Sequence, residues 1–398
     1  MAIITDLDPL SNPGANLVAF EFAKVAAQEF QTEFWTSGRT TISENYYDYD
    51  FLSFKYINLT ERFIKFPSRG LRHKTIREIF SIKPLRWIFI RLFIFRPNLI
   101  WVHQIGNVFP YSMFILFRLF RIPAVFTLHD FGTLVPRKLY PADLGLNQKD
   151  LFNFHTSNFG RNHMTSSLHL GLSARYSIRL LIIRLLLRSV RLVSISNLQA
   201  EILKANRIPI FRTIANGVNP CNCEGQVLER ELAILFAGRL SGKGFTHVLR
   251  TVESHPTLKL HLAGEKQLLS QARLVLPDSR IAYHGTLNSH ELFKVMHRVR
   301  FLAALSDCFD VYPSIVLEAL AHGCIPFCYP TVGNASLAAK VHKKLVIDYG
   351  YSIDDKLMNE LAKNSVLLTN AIKIGKSQPS FFEAYKNYRI IFNSNAED

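Results

Sequence analysis

Cysteine is scarce in this chain of 398 residues. The five present, Cys221, Cys223, Cys308, Cys324 and Cys328, form neither a disulfide framework nor a metal-ligand spacing. Cys221-x-Cys223 has no second pair or nearby histidines to complete a tetrahedral site, so a reduced setting fits, with cysteines serving as small apolar residues. Long apolar runs are missing as well. The longest uncharged stretch of the first half, Pro97 to Phe117, is interrupted by Asn98, His103, Gln104, Gly106, Asn107 and Pro110, which makes a poor membrane span. The opening MAIITDLDPL carries Asp6 and Asp8 and no basic residue, against the pattern of a secretory signal. There is no internal repeat and no low-complexity tract, and a hydrophobic content of 48% with 20% charged residues excludes a disordered chain.

Acids are scarce in one region only. Residues 51–200 hold 22 Lys/Arg against five Asp/Glu, a balance of +17, so the rest of the chain sums to −1. The basic surface therefore belongs to the first half, and the second half is close to neutral.

The length exceeds what one growing core supports, which points to two domains. Short apolar runs alternate with helical patterns from end to end, as a doubly wound α/β protein requires. In the first half the expected strands are Ala2–Thr5, Thr32–Thr36, Leu99–His103, Ala124–Leu128 and Leu192–Ser196. In the second they are Ala233–Ala237, Lys259–Ala263, Ile281–His284, Arg300–Ala304, Ile325–Cys328 and Leu345–Ile347. Two parallel sheets follow, with ligands expected at the carboxyl ends of their strands. Turn residues at Asn216–Glu231 mark the boundary, giving domains 1–215 and 216–379. An aromatic helix follows at 380–398; packing back on the first domain is one option for it, and nothing in the sequence says which domain it joins.

The run DVYPSIVLEALAHGCIP, Asp310 to Pro326, sets two carboxylates across the start of a helix. Pro313 suits the first helical position and Gly323 the C′ position, predicting a helix from Pro313 to His322. Its N-terminus, near Pro313 and Ser314, offers unpaired N–H groups and the positive end of the macrodipole to an anion. Glu318, one turn in, can reach hydroxyl groups of the same ligand, while Asp310 approaches from the loop. A capped core helix with two incidental acids is the plainer alternative.

After the strand ILFAG comes GRLSGKG, in which Arg239 and Lys243 stand within a glycine-rich turn ahead of a helical pattern from Thr246. Strand, glycine-rich turn with cations, then helix is a common way to hold phosphate. It is not a Walker A loop, because Gly244 stands where Ser or Thr should follow the lysine. A solvated basic turn is its alternative reading. HLAGEK ends a strand with Gly264 and AYHGTL ends another with Gly285, putting permissive backbone at the same sheet edge.

In their order, GRLSGKG, HLAGE, AYHGTLNSHEL and DVYPSIVLEALAHGCIPF resemble the nucleotide-sugar domain of glycosyltransferase family 4. The resemblance extends into the first half through NPGAN, VFTLHDF, LVSIS and IANGV. It implies the GT-B fold, two Rossmann-like domains facing across a cleft, and retaining transfer of a sugar from a nucleotide-diphosphate donor without a required metal or other cofactor. It further implies that Arg239 and Lys243 clamp the diphosphate and that Glu318 binds the donor ribose. Asp310 takes the place of the family's first Glu, at the donor sugar. His129 matches the active-site histidine and Gly14 the N-terminal glycine loop near the phosphates. Three departures stand out: Asp310 is one methylene shorter than the family's Glu, the Gly-Gly loop is reduced to Pro13-Gly14-Ala15, and Arg239 and Lys243 are one residue closer together.

The expected chemistry is charge stabilisation of a departing nucleoside diphosphate, with a clamp in place of a divalent cation. The chain shows no convincing carboxylate nucleophile of the glycosidase type, which favours front-face attack. Residues 69–96 interleave Arg69, Arg72, Lys74, Arg77, Lys83, Arg86, Arg91 and Arg96 with Phe80, Trp87, Phe89, Phe93 and Phe95. Such interleaving suits an anionic membrane or a lipid-linked acceptor; intramolecular charge and other polyanions are alternatives, and no nucleic-acid motif is present. A second basic segment, 175–191, reads as partly buried with snorkelling arginines. The expectation is a peripheral protein at the cytoplasmic membrane face, building cell-surface polysaccharide or lipopolysaccharide. A nucleotide-sugar epimerase, or a degenerate scaffold binding nucleotide or membrane, would carry the same donor motifs.

Overall fold

The computed structural model describes residues 1–7, 14–37, 59–64, 78–135, 169–219, 230–364 and 366–394. These divide into two compact units, one formed by the residues up to 217 together with 381–394, the other by 218–380. Cys221, Cys223, Pro13, the basic residues 69–77 and the middle of the expected boundary segment lie outside the described residues.

The first unit is built on β1 (Ala2–Leu7), β2 (Thr32–Ser37), β3 (Leu59–Ile64), β4 (Ile100–Val102), β5 (Ala124–Leu128), β6 (Arg191–Ser194) and β7 (Arg212–Thr213). They form one parallel sheet in the order β3-β2-β1-β4-β5-β6-β7. Its helices are α1 (Ala15–Ala26), α2 (Ile82–Phe95), α3 (Met113–Leu119), α4 (His169–Leu186) and α5 (Asn197–Ala205). Strands β4 and β5 are buried along their whole length, which is why they read as continuous apolar runs, IWV and AVFTL. The edge strands β3 and β7 were not among the expected ones. LTERFI carries charge in its middle and β7 is two residues long, as befits edges that must not pair further.

The second unit holds β8 (Glu231–Gly238), β9 (Lys259–Gly264), β10 (Ile281–Gly285), β11 (Val299–Ala304) and β12 (Ile325–Cys328), parallel in the order β10-β9-β8-β11-β12. Its helices are α6 (Phe245–Ser254), α7 (Lys266–Ala272), α8 (Ser289–Arg298), α9 (Ser314–Ala321), α10 (Ala335–Val341), α11 (Asp355–Lys363) and α12 (Val366–Lys376). Helix α6 shows why the layers adhere: Phe245, Val248, Leu249 and Val252 share one face and join a core with Ile234, Phe236, Leu260 and Leu262. Each such side chain contributes about 1.5–3 kcal/mol on burial. The expected strand Leu345–Ile347 is instead a single bridge, Val346 to Cys328, after a turn of 3-10 helix at Lys343–Leu345.

Helix α13 (Phe381–Asn393) packs on the first unit, where Tyr385, Tyr388, Ile391 and Phe392 are buried with Phe22 and Trp101. The Trp101 and Tyr388 ring centroids are 4.5 Å apart. Trp101 Nε1 donates to Thr127 Oγ1 at 2.9 Å, and that oxygen lies 3.1 Å from Tyr388 Oη.

In both sheets the winding reverses beside the first strand, between β1 and β4 and between β8 and β11. At such a switch point the loops at the carboxyl ends diverge and leave a crevice. The loops after β8, β11, β1, β4 and β5 are therefore where chemistry is to be sought.

Candidate functional site

In the second unit, the loop after β8 turns on Gly238, Gly242 and Gly244, all with positive φ. Gly244 caps α6 in the left-handed region, and a Cβ there would stand 1.6 Å from the Leu305 carbonyl oxygen, so only glycine fits. That contact joins the loop after β8 to the loop after β11. Asp307 strengthens the joint: its Oδ2 accepts from the Gly244 N–H at 3.1 Å and its Oδ1 lies 2.9 Å from His247 Nε2. The Lys243 ammonium donates to Asp310 Oδ2, closing the same pair of loops.

Asp310 is fixed from several sides. Its backbone N–H donates to the Thr331 carbonyl at 3.0 Å, its carbonyl accepts from Gly333 at 2.7 Å, and Ser306 Oγ lies 3.2 Å from its Oδ2. Arg239 lies on the exposed part of the turn and enters no ion pair among the described residues.

Helix α9 follows directly. Pro313 is its N-cap, with ψ of 121°, and the first helical residue is Ser314. The expected placement of Pro313 inside the first turn is thus off by one, because its backbone is extended: its carbonyl accepts from the Val316 N–H at 3.2 Å, the first bond of the helix, and from Asn334 Nδ2 at 3.0 Å. No side chain caps this end. At the other end Cys324 N–H donates to the Ala319 carbonyl at 2.7 Å and Gly323 N–H to that of Leu320 at 3.1 Å, a Schellman closure that needs the φ of +70° at Gly323. Glu318 is half-buried one turn in, where loss of water pushes its carboxyl up to about 7 against the opposing effect of the Ser314 hydroxyl bond.

Gly264 and Gly285 have different roles in the fold. A Cβ on Gly264 would come within 2.2 Å of the Gly238 carbonyl oxygen, so this glycine lets the ends of β8 and β9 approach each other. Gly285 ends β10, two strands away from β8, with open space where a Cβ would be.

In the first unit, His129 follows β5 and its Nε2 lies 2.8 Å from Nδ1 of His103, which follows β4. Burial lowers both imidazoles, His129 to about 3, so both are neutral at neutral pH. His103 Nε2 is buried without a hydrogen-bond partner, its ring set against Trp101 and Phe22. A proton there would strand a donor, so we assign the His103 proton to Nδ1, donating to His129 Nε2. His129 then carries its own proton on Nδ1.

Neighbouring loops are tied to the same place. Asp130 Oδ1 accepts from the Gly132 N–H at 2.7 Å, Gln104 Nε2 donates to Oδ2 at 3.3 Å, and Gln199 Nε2 donates to the Asp130 carbonyl at 3.0 Å. Asp6, at the end of β1, accepts from the N–H groups of Asn107, Val108 and Phe109 at 2.6, 3.0 and 2.8 Å. Its burial outweighs these bonds and pushes the carboxyl up to about 7. Gly14 is the N-cap of α1 with φ of 94° and ψ of −126°, a conformation for glycine alone.

The second basic segment is partly buried, but Arg179, Arg184 and Arg191 do not snorkel. Arg179 is buried in a pair with Glu78 and donates to the Leu134 carbonyl at 3.0 Å, beneath the loop that follows His129. Arg184 and Arg191 are likewise spent on backbone carbonyls, of Asn206 and Ile391.

Sequence reasoning did not single out Asp307, His247, His103 or Gln199. Asp307 and His103 had a legible signal, a polar residue at the carboxyl end of an apolar strand. Among the described residues no group of three His, Cys, Asp or Glu side chains is placed to hold a metal ion.

Comparisons with known proteins bear on this arrangement. Residues 224–378 match the family model of glycosyl transferases group 1. No curated protein matches the chain. Among solved structures, HepE of Anabaena, crystallised with UDP-glucose, superposes with a TM-score of 0.64 at 15% identity, over 99% of this chain and 100% of that one. WaaG, a glycosyltransferase involved in lipopolysaccharide biosynthesis, gives 0.63 at 14%, over 98% and 99%. Sucrose-phosphate synthase of Thermosynechococcus elongatus gives 0.68 at 13%, over 100% and 99%. The fold is that of the GT-B glycosyltransferases, and the family match supports glycosyl transfer by a chain of this fold.

Proposed function

We propose that this protein is a retaining glycosyltransferase of family 4 type, moving a sugar from a nucleotide-diphosphate donor to a glycan or lipid-linked acceptor in cell-surface polysaccharide or lipopolysaccharide synthesis. The observation that carries the proposal is the meeting of the Lys243 loop with the Asp310 loop at the β8/β11 switch point, with Glu318 one turn inside the helix that follows.

Breaking the bond between the sugar's anomeric carbon and the phosphate oxygen leaves charge on the diphosphate. Lys243, Arg239 and the uncapped start of α9 are the groups in this chain that can stabilise it, each charge-assisted bond being worth about 1.5–3 kcal/mol. Glu318 accepts from the ribose hydroxyls, and Asp310 accepts from hydroxyls of the donor sugar. In front-face attack the acceptor oxygen bonds to the same face of the anomeric carbon as the leaving group departs, and the acceptor proton passes to the departing phosphate oxygen. His129, neutral and protonated on Nδ1, acts as a hydrogen-bond donor to a sugar or acceptor oxygen rather than as an acid.

Donor turnover with a panel of radiolabelled nucleotide sugars tests this reading. Lys243→Ala and Glu318→Ala should each lower turnover by about 100-fold or more, in line with loss of one preorganised charge contact. Wild-type turnover in both variants would remove the proposed site.

A further inference from the structure

We propose that α2 and α3 of the first unit form a docking face for an anionic lipid bilayer, on which the protein lies without crossing it. Helix α2 is amphipathic in an unusual sense. Its inner face, Pro84, Ile88 and Leu92, is buried, with Trp87 edge-on to Trp35 at 5.6 Å and Arg91 paired with Glu33. Its outer face is apolar too: Ile82, Phe89, Ile90, Phe93 and Ile94 recur at helical spacing and are exposed, Ile94 to 66%.

The rings of Phe89 and Phe93 meet Phe120, just past α3, at 5.7 and 5.2 Å, which joins the two helices into one patch. Ile115 and Leu119 extend it, Leu119 being 71% exposed. Contiguous apolar surface of this kind on a folded protein marks an interaction site.

Charge identifies the partner. Lys83, Arg86, Arg96, Arg118 and Arg121 are exposed around the patch, and none pairs with a described acid. From Ile79 to His129 the chain contains no Asp or Glu at all. Aromatic and aliphatic side chains ringed by cations of one sign suit the headgroup boundary of an anionic membrane. A second copy fits badly, because a two-fold interface would set this positive surface against itself. Among the described residues no helix is long and apolar enough to cross a membrane, so the contact is to the surface.

This goes beyond the basic segment seen in the sequence, since it adds α3 and Phe120 and leaves out Arg179 and Arg184 of α4, which are bound internally. It is also independent of the transfer chemistry.

Co-sedimentation of the full chain with phosphatidylcholine vesicles, with and without phosphatidylglycerol, tests it. The protein should pellet with the anionic vesicles at low salt and be released by high salt. Lys83→Gln/Arg86→Gln should weaken the partition about 30-fold, the effect of two cations near anionic lipid. Phe93→Ser/Ile94→Ser should weaken it at least tenfold while leaving the thermal midpoint unchanged or raised. The proposal fails if the protein stays in the supernatant over anionic vesicles at low salt. It fails equally if both double variants pellet like wild type, or if sedimentation velocity shows a dimer that Phe93→Ser/Ile94→Ser dissolves and that does not bind vesicles.

Discussion

Lys243 and Asp310, separated by 67 residues in the chain, form an ion pair that closes the loop after β8 onto the loop after β11. The cation assigned to the diphosphate is thus held by the acid assigned to the donor sugar. A bound diphosphate must draw Lys243 away from Asp310 or share it. Asp310→Asn should therefore tighten binding of a free nucleoside diphosphate by up to about fivefold, the scale of a partly exposed pair. The same change should lower sugar transfer by at least an order of magnitude. Calorimetric titration alongside initial rates checks both; weaker diphosphate binding in Asp310→Asn would contradict the assignment.

Glu318 makes the protein sensitive to pH in a defined direction. Its folded value of about 7 lies above the ordinary 4.5, so its stabilising contribution is complete below 4.5 and lost as pH rises through 7. Glu318→Gln should then resist denaturant better than wild type at about pH 8, by on the order of 2–3 kcal/mol, and show no advantage at about pH 4. Ribose hydroxyls favour the ionised carboxylate. Affinity for a nucleotide sugar, which has no phosphate group titrating in this range, should rise as pH is raised through 7, and the rise should be absent in Glu318→Gln.

The His103–His129 bond fixes a tautomer. Nitrogen-15 chemical shifts should place the His103 proton on Nδ1 and that of His129 also on Nδ1, with neither ring becoming charged between about pH 5 and 8. His103→Asn keeps an N–H near the Nδ1 position and should retain most of kcat. His103→Leu removes it and should lower kcat with little change in the donor KM. Equal losses in the two variants would mean that His103 only fills space.

Arg179 and Glu78 form a buried pair that supports the loop after His129. Arg179→Met takes the paired cation from the buried Glu78 carboxylate and should cost about 3–5 kcal/mol in chemical denaturation. The double change Arg179→Met/Glu78→Leu should recover most of that loss. If the double variant is as unstable as the single one, the carbonyl contacts of Arg179, rather than the charge pair, carry the stabilisation.

The sheets were legible in the sequence because parallel central strands are buried on both faces and therefore read as unbroken apolar runs, as at AVFTL and ILFAG. Edges were not, since LTERFI owes its place to a neighbour and carries charge where a central strand could not. Leu345–Ile347 looked like a strand on composition, yet only Val346 finds a bridge partner. At the candidate site, residue types were readable: cations in a glycine-rich turn, and an acid on either side of a helix start. Which of these touch was not, because the Lys243–Asp310 and Gly244–Asp307 contacts depend on β8 and β11 being neighbours. The partners of His103 and Arg179 were unreadable for the same reason, lying on other strands and helices.

The central claim is that the carboxyl ends of β8 and β11, with α9, bind a nucleotide sugar. Thermal unfolding across a panel of nucleoside diphosphates and their sugars, on wild type, Lys243→Ala and Glu318→Ala, tests it most directly. A ligand at 100 times its Kd stabilises the folded state by about 2.7 kcal/mol. The account predicts a raised midpoint for at least one nucleotide sugar in the wild type, reduced or lost in both variants. No rise with any member of the panel, or a rise that persists unchanged in both variants, would contradict it.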